Sequence, residues 1–222
     1  MEKICFIMCV NDDMHYAECL LYLSQLRVPD GIEVEVLEIR DAVSMTAGYQ
    51  EGMEASGAKY KVYMHQDTRI VNKNFIYDIL SIFRADESIG MIGAVGCPKL
   101  PVDGMMWHGD RIGIMGRNMS DEAPYDVQVD GYAEVEAIDG YIMVTQYDLP
   151  WRMDLFDGWD FYDVSQSMEF AIQGFKVVVP NMPWAWVLHE EEACMSLWNY
   201  DKYRRIFLEH YGDKCKRVMR RD

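Results

Sequence analysis

The sequence predicts an α/β fold in which helices cover both faces of a parallel sheet. Its first strand, Ile4–Val10, is a continuous apolar run, as expected of a strand that is buried on both faces. Strand patterns then alternate with helical patterns along the first half of the chain, which is typical of parallel sheets. Polar residues follow the predicted strands directly, and ligands of such sheets bind outside the carboxyl ends of the strands.

The first 98 residues contain four predicted strands separated by three predicted helices. Asn11, Asp12 and Asp13 offer N-cap chemistry for the first helix, which apolar spacing extends to about Arg27. Asn72 or Asn74 is expected to cap the third helix. The strands are expected at 4–10, 32–39, 60–65 and 89–96, and the helices at about 11–27, 41–57 and 75–83.

The second half is less regular. Residues 97–135 are rich in glycine, methionine, proline and aspartate, which predicts loops or a hairpin. A strand is expected over 135–145 with a break at Asp139–Gly140, and Gly174 is placed to help end a helix over about 164–175. A strand over 175–180 and a helix over 196–220 complete the chain. Since no linker or repeat interrupts it, we expect one domain.

The composition narrows the class of protein. A net charge of −16 disfavours a general nucleic-acid binder, which would carry a basic surface. No apolar run is long enough to span a bilayer, and the first residues lack the apolar region of a signal peptide, so we expect a cytoplasmic protein. No C-x-x-C pair occurs, which favours buried thiols over disulfides or zinc ligands. The six cysteines are Cys5, Cys9, Cys19, Cys97, Cys194 and Cys215.

Polar residues collect at the predicted carboxyl edge of the sheet. Asn11, Asp41 and the segment His65–Asp67 each follow a strand, so a parallel sheet would bring them together. The Asp67 carboxylate suits Mg²⁺ or Mn²⁺, and the His65 imidazole suits Mn²⁺ better than Mg²⁺. Simpler interpretations stay open, because strand-end Asp and Asn residues often cap helices or form turns and a lone histidine is often an ordinary core or surface residue.

The segment SMTAGYQEGMEASGAKYKVYMHQDTRI, residues 44–70, resembles a stretch of the family 2 glycosyltransferases. In that family a helix with small residues leads into a strand that ends in D-x-D. Ala47, Gly48, Gln50 and Gly52 fit the helix, and His65–Gln66–Asp67 takes the place of D-x-D. The form YKVYMHQD is similar to the StrF-like branch. Over roughly residues 3–192, the resemblance implies a GT-A-type nucleotide-diphospho-sugar transferase fold, with a mixed, mostly parallel sheet flanked by helices.

The resemblance also implies roles for single residues. Asp163, preceded by Tyr162, stands where the family has its catalytic base, and capping of the helix is the alternative role. His189 stands where many GT-A enzymes have a metal-binding histidine. The expected metal ligands are Asp67, His189 and His65, holding Mn²⁺ or Mg²⁺ without an organic cofactor. The residues expected at the nucleotide are Asn11, Asp12, Asp41, Gly48 and Gln66. Those expected at the acceptor or sugar are Asp139, Gly140, Trp159 and Asp160.

The implied activity is transfer of a hexose from a nucleotide-diphosphate donor to a hydroxyl group, with inversion, in polysaccharide biosynthesis. Residues 1–98 would form the nucleotide-binding half, 99–195 the acceptor half and 196–222 a C-terminal helix. The acceptor could be a glycan, a lipid-linked molecule or a small molecule. The basic segment 213–222 could contact an anionic membrane surface, with a solvated helix end as the simpler interpretation. The oligomeric state is left open.

Three other functions compete with sugar transfer. A non-catalytic module that binds a nucleotide or a glycan is favoured by His65, which replaces the first aspartate of D-x-D. A nucleotidyltransferase normally has a glycine-rich phosphate loop with a basic residue after the first strand, and CVNDDMHY, residues 9–16, has neither. A dinucleotide oxidoreductase is disfavoured because no G-x-G-x-x-G follows that strand.

Overall fold

A computed structural model describes residues 1–116, 131–189 and 197–217. Within these ranges the chain forms twelve strands and five α-helices, with one short 3₁₀ turn at Met106–His108. In chain order they are β1 (Glu2–Val10), α1 (Asp13–Leu23), β2 (Ile32–Arg40), α2 (Met45–Ala55), β3 (Tyr60–Met64), β4 (Thr68–Ile70), α3 (Phe75–Ala85), β5 (Ile89–Gly93), β6 (Val95–Cys97), β7 (Ile112–Gly113), β8 (Tyr132–Val135), β9 (Ala137–Ile138), β10 (Ile142–Thr145), α4 (Tyr162–Ile172), β11 (Lys176–Pro180), β12 (Val187–His189) and α5 (Leu197–Arg217).

The central sheet has seven strands in the order β2-β1-β3-β10-β5-β11-β8. β1 runs parallel to β2 and β3, and β11 runs parallel to β5. β10 is antiparallel to both of its neighbours, β3 and β5, and β8 is antiparallel to β11. Five of the seven strands therefore point the same way, which confirms the predicted mixed, mostly parallel sheet.

Two predicted strands are each divided between two sheets. The segment 89–96 forms β5 in the central sheet and then β6 in a three-stranded sheet of order β7-β6-β9. The segment 135–145 begins with the last residue of β8 in the central sheet, continues as β9 in the three-stranded sheet and returns to the central sheet as β10. The predicted break at Asp139–Gly140 lies between β9 and β10. Gly93 makes this close crossing possible, because a Cβ atom there would lie 2.6 Å from the Ile138 side chain. Both segments can therefore cross between the seven-stranded sheet and the three-stranded sheet close to Gly93.

Helix ends follow local capping chemistry. Asp12 caps α1, and its Oδ1 accepts hydrogen bonds from the backbone N–H groups of Met14 and His15. α2 begins at Met45 rather than near Asp41, because Ser44 is its cap and accepts a bond from the N–H of Ala47. Asn74 is the N-cap residue of α3, but its side chain makes no capping bond.

The core lies on both faces of the central sheet. Ile4, Phe6, Ile7 and Met8 of β1 have no exposed surface, as the apolar run predicted. Burying such a side chain stabilises the fold by about 1.5–3 kcal/mol. A second cluster forms where α5 packs on the start of α4, with Phe156, Phe161 and Phe207 at its centre. This cluster fixes the first turn of α4, on which the site depends.

Four of the described cysteines are buried thiols, as predicted. Cys5, Cys19, Cys97 and Cys215 are buried, and burial raises the pKa of Cys19 and of Cys9 to about 12. Cys194 lies outside the described residues. Among the described helices, none has the length and hydropathy needed to cross a membrane.

Candidate active site

A glutamine side chain joins the ends of two neighbouring strands. Gln66, after β3, accepts hydrogen bonds at Oε1 from the backbone N–H groups of Asn11 and Asp12, both 2.9 Å long. Its amide nitrogen also donates to the Asn11 side chain. The strand ends are therefore adjacent, as the parallel sheet predicted. Asp12 is occupied as a helix cap, which was the simpler of its two expected roles.

A cavity of about 530 Å³ opens at this edge. Asp41 faces it with a left-handed backbone (φ 57°), and Ser44 takes the capping role that was the alternative for Asp41. Gly48 and Asp12 do not line the cavity. A Cβ atom at Gly48 would lie 2.4 Å from Cys9 Sγ, so this glycine lets α2 pack against the end of β1. The polar residues at the cavity wall include Asn11, Arg40, Asp41, His65, Gln66 and Asp67.

Two histidines and an aspartate converge beside this cavity, and His65 and Asp67 line it. β12 pairs antiparallel with β4 and aligns His189 with Thr68, which brings His189 beside Asp67. His189 Nε2 lies 3.4 Å from Asp67 Oδ1 and 3.2 Å from His65 Nδ1. One ligand atom from each of the three residues lies within 4.8 Å of the others. We call these three residues the His-Asp-His cluster.

The protonation states in this cluster suit a divalent cation. Burial and the neighbouring His189 lower the pKa of His65 to about 4, so its imidazole is neutral at pH 7. Burial alone would raise the pKa of Asp67, but the hydrogen bond and charge of His189 lower it below its usual value. A neutral imidazole and an ionised carboxylate are the forms that bind metals. Two imidazoles and one carboxylate fit Mn²⁺ well among the ions considered.

Tyr162 is part of this site, although no role was expected for it from the sequence. Its hydroxyl oxygen lies 2.5 Å from His65 Nε2, on the opposite side of the ring from His189. Tyr162 directly precedes Asp163, but no pattern connects it to a residue 97 positions earlier. The only signal was the position of Tyr162 in the first turn of a helix that the resemblance had marked.

A second, smaller cavity of about 170 Å³ lies at the start of α4. Asp163 Oδ2 accepts a hydrogen bond from the N–H of Gly140 (3.0 Å), and Oδ1 accepts one from Val164 (2.8 Å). Asp163 therefore binds a first-turn N–H group and also faces a cavity. Phe161, not Asp163, is the N-cap residue. The cavity is lined by residues that include Trp107, Asp139, Trp159, Asp160, Asp163 and Tyr200.

Asp163 has the electrostatics of a proton acceptor. Burial and the negative charge of Asp139 together raise its pKa to about 7, although the two backbone hydrogen bonds oppose this change. Asp160 also has a raised pKa because it is buried. A carboxyl group with a pKa near 7 exchanges protons readily at neutral pH, which suits general base catalysis.

Trp159 lies between the two cavities and lines both of them. Its side chain is 50% exposed, so its ring is available to a ligand. The structure thus brings His65 and Asp67 to one cavity, with His189 in contact with both. It brings Asp139, Trp159, Asp160 and Asp163 to the other. Gly140 borders the second through its N–H bond to Asp163.

Comparison with known proteins shows the family and the fold of the chain. The sequence profile of a glycosyltransferase-like family matches residues 5–211. The structure is similar to that of TarS from S. aureus (TM-score 0.60, 12% identity), covering 99% of this chain and 42% of TarS. None of the curated proteins matches the chain.

A second similar structure is the mannosyltransferase PcManGT from Pyrobaculum calidifontis, solved in complex with GDP-Man and Mn²⁺. Its TM-score is 0.59 at 11% identity, covering 97% of this chain and 64% of that protein. A structure of the shorter chain TarS 1-349, in complex with UDP-GlcNAc, matches with a TM-score of 0.53 and 12% identity over 95% of this chain and 67% of that shorter chain. The chain thus spans less than two thirds of TarS and of PcManGT. It has the GT-A fold, and it belongs to the glycosyltransferase-like family, of the family 2 type.

Proposed function

We propose that the protein transfers a sugar from a nucleotide-diphosphate donor to a hydroxyl group of an acceptor. The observation that carries this proposal is the pair of cavities on either side of Trp159. One cavity is lined by His65 and Asp67 of the His-Asp-His cluster and by strand-end polar residues. The other contains a buried carboxylate with a pKa near 7. A transferase needs these two functions side by side, one for the leaving diphosphate and one for the attacking hydroxyl.

Asp163 would act as the general base. Its two backbone N–H bonds hold the carboxylate in one orientation, with the cavity on its open side. An acceptor hydroxyl bound there would give its proton to Asp163 as it attacks the anomeric carbon. Direct attack opposite the leaving group inverts the configuration at that carbon. Positioned proton transfer of this kind contributes about 10²–10⁴-fold in rate.

Asp67, His189 and His65 would hold the divalent cation, Mn²⁺ or Mg²⁺. When bound, such an ion stabilises the negative charge that develops on the departing diphosphate. The complex of PcManGT with GDP-Man and Mn²⁺ supports this assignment. Asp41 and Asn11 line the same cavity and would contact the nucleoside, while Gln66 holds the two strand ends in register. Roles for Asp12 and Gly48 at the nucleotide would be indirect, because both lie outside the cavity wall.

Trp159, Asp160, Asp139 and Gly140 would form the acceptor side. An exposed indole ring can stack on a sugar, and carboxylates can accept bonds from its hydroxyl groups. The proposal also includes a single domain, a hexose donor, membership of the StrF-like branch, a cytoplasmic location and a role in polysaccharide synthesis. Contact of the basic segment 213–222 with a membrane also remains a prediction. The structure describes that segment only as far as residue 217.

Nucleotide binding separates this proposal from the non-catalytic module. In the sequence, His65 favours that module because it replaces an aspartate. In the structure, however, His65 lies 3.2 Å from His189 in a cluster suited to a cation. Titration calorimetry with UDP, GDP and dTDP, with and without Mn²⁺, is the test. We expect one nucleotide to bind far more tightly when Mn²⁺ is present. Binding of glycans with no affinity for any nucleotide would support the module instead.

The rate of transfer should depend on pH through Asp163. Because the folded-state pKa of Asp163 is about 7, the carboxyl group loses its basic form as pH falls below 7. We expect kcat/KM for the acceptor to rise roughly tenfold per pH unit up to about pH 7 and then to level off. His65 has a pKa near 4, so its titration lies well below this range. A profile that is flat from pH 5 to pH 8, with donor and Mn²⁺ saturating, would contradict a base role for Asp163.

A further inference from the structure

We propose that Tyr162 is the positioning residue that makes Nδ1 of His65 a metal ligand. The inference rests on the cation site in the proposed function and adds to it a residue outside the His-Asp-His cluster. Tyr162 would not touch the cation. It would act through the His65 ring, by fixing both the orientation of that ring and the nitrogen that carries the proton.

The two nitrogens of His65 face different partners. Nδ1 faces the cluster, at 3.2 Å from His189 Nε2 and 4.0 Å from Asp67 Oδ1. Nε2 faces away from it and is 2.5 Å from the hydroxyl oxygen of Tyr162. Only Nδ1 can therefore bind the same ion as His189 and Asp67. Nε2 contacts the Tyr162 hydroxyl on the other side of the ring.

The tautomer of His65 decides whether Nδ1 can bind. A neutral imidazole carries one proton, and the nitrogen without that proton offers the lone pair. If Nε2 carries the proton and donates it to the Tyr162 oxygen, Nδ1 has a free lone pair. Metal-binding histidines commonly donate their other ring N–H to an oxygen of a carboxylate, a backbone carbonyl or water, and mutating that partner costs about 10–100-fold in metal affinity. We assign this role to the Tyr162 oxygen.

The surroundings of Tyr162 keep its hydroxyl in place. The side chain is 5% exposed, and its ring packs edge-on against Tyr49 with the ring centroids 5.9 Å apart. Gly140 provides the space, because a Cβ atom there would lie 2.2 Å from the hydroxyl oxygen of Tyr162. The hydroxyl is thus held on His65 by packing.

Tyr162→Phe tests the inference, because it removes the hydroxyl and keeps the ring. The matched control is Tyr49→Phe. The Tyr49 hydroxyl is equally buried, and among the described residues it has no hydrogen-bond partner. Calorimetric titration of each nucleotide-free protein with Mn²⁺ alone should give about 10–100-fold weaker binding for Tyr162→Phe and unchanged binding for Tyr49→Phe. Unchanged or tighter binding in Tyr162→Phe would overturn the inference. An equal loss in both variants would also overturn it, since that result indicates a packing effect.

A second measurement reads the tautomer directly. Nitrogen-15 spectra of the His65 ring in the metal-free protein should place the proton on Nε2 in the wild type. In Tyr162→Phe this preference should weaken. A proton on Nδ1 in the wild type would overturn the inference even if both variants fold. Failure of the wild type to bind Mn²⁺, by contrast, would refute the proposed cation site itself.

Discussion

Replacing Asp163 with asparagine is expected to lower the rate of sugar transfer by about 10²–10⁴-fold, because the amide cannot accept the proton of the attacking hydroxyl. Its carbonyl oxygen can still accept one of the two backbone N–H bonds that hold Asp163. We expect kcat to fall while donor binding changes little. Steady-state kinetics with saturating donor, together with donor calorimetry, would measure both effects.

The same variant should be more stable than the wild type at pH 8. The pKa of Asp163 is higher in the folded protein than the ordinary aspartate value, so the folded state binds its proton more tightly than the unfolded state does. The group therefore lowers the free energy of unfolding progressively as pH rises from about 4 to about 7. Asparagine removes that penalty, and urea unfolding at pH 8 would detect the gain.

Asp78→Asn is the matched control for the loss of transfer rate in Asp163→Asn. Asp78 also lies in the first turn of a helix, is buried, and has a raised pKa because of that burial. It bonds to Asn72 and lines neither cavity. We expect its replacement to leave transfer activity unchanged. Full activity in Asp163→Asn, or a product that retains the donor's anomeric configuration, would contradict the base role.

Replacing Asp67 with asparagine should abolish cation binding and reduce turnover by about 10³-fold or more. Asp67 is the single carboxylate of the His-Asp-His cluster, so the variant leaves two imidazoles and an amide. Stabilisation of a departing charged group by a metal is worth several kcal/mol, and each 1.36 kcal/mol is tenfold in rate. Mn²⁺ calorimetry and initial rates at saturating Mn²⁺ would test both parts.

The control for the Asp67 variant is Asp30→Asn. Asp30 is an exposed carboxylate in the turn before β2, so its loss changes the net charge equally. We expect normal Mn²⁺ affinity and rate there. If Asp67→Asn kept its activity, and if a chelator did not slow the wild type, the metal-assisted part of the proposal would be wrong.

Local patterns predicted most of the elements but few of the pairings between them. The apolar run of β1 and the spacing in α3 arise from burial of nearby residues, which sequence periodicity records. The antiparallel position of β10 between β3 and β5 depends on contacts that are distant in sequence. Nothing in the residues 142–145 distinguishes an antiparallel strand from a parallel one. The order of the strands in the sheet could therefore be known only from the structure.

Local sequence likewise placed some of the site residues and not others. Asn11 and Asp41 could be placed at one edge because each follows a strand, whatever the sheet order. His189 came to the site only by resemblance, since its position depends on the β4–β12 pairing. Tyr162 was missed because its partner, His65, is reached through packing around Gly140. Capping roles were ambiguous for a local reason: Asp41 and Ser44 are both good caps, and only one of them starts α2.

The position of β10 has a consequence for how the chain acquires its structure. β3 and β5 lie within the first 98 residues, yet neither pairs with the other, because β10 separates them. Until residues 142–145 arrive, β3 has one unpaired edge and β5 has no neighbour at all from the N-terminal half. Such non-local pairing is slow, and open edges invite association with other chains. The first 98 residues therefore cannot complete their part of the sheet during synthesis before residues 142–145 have left the ribosome.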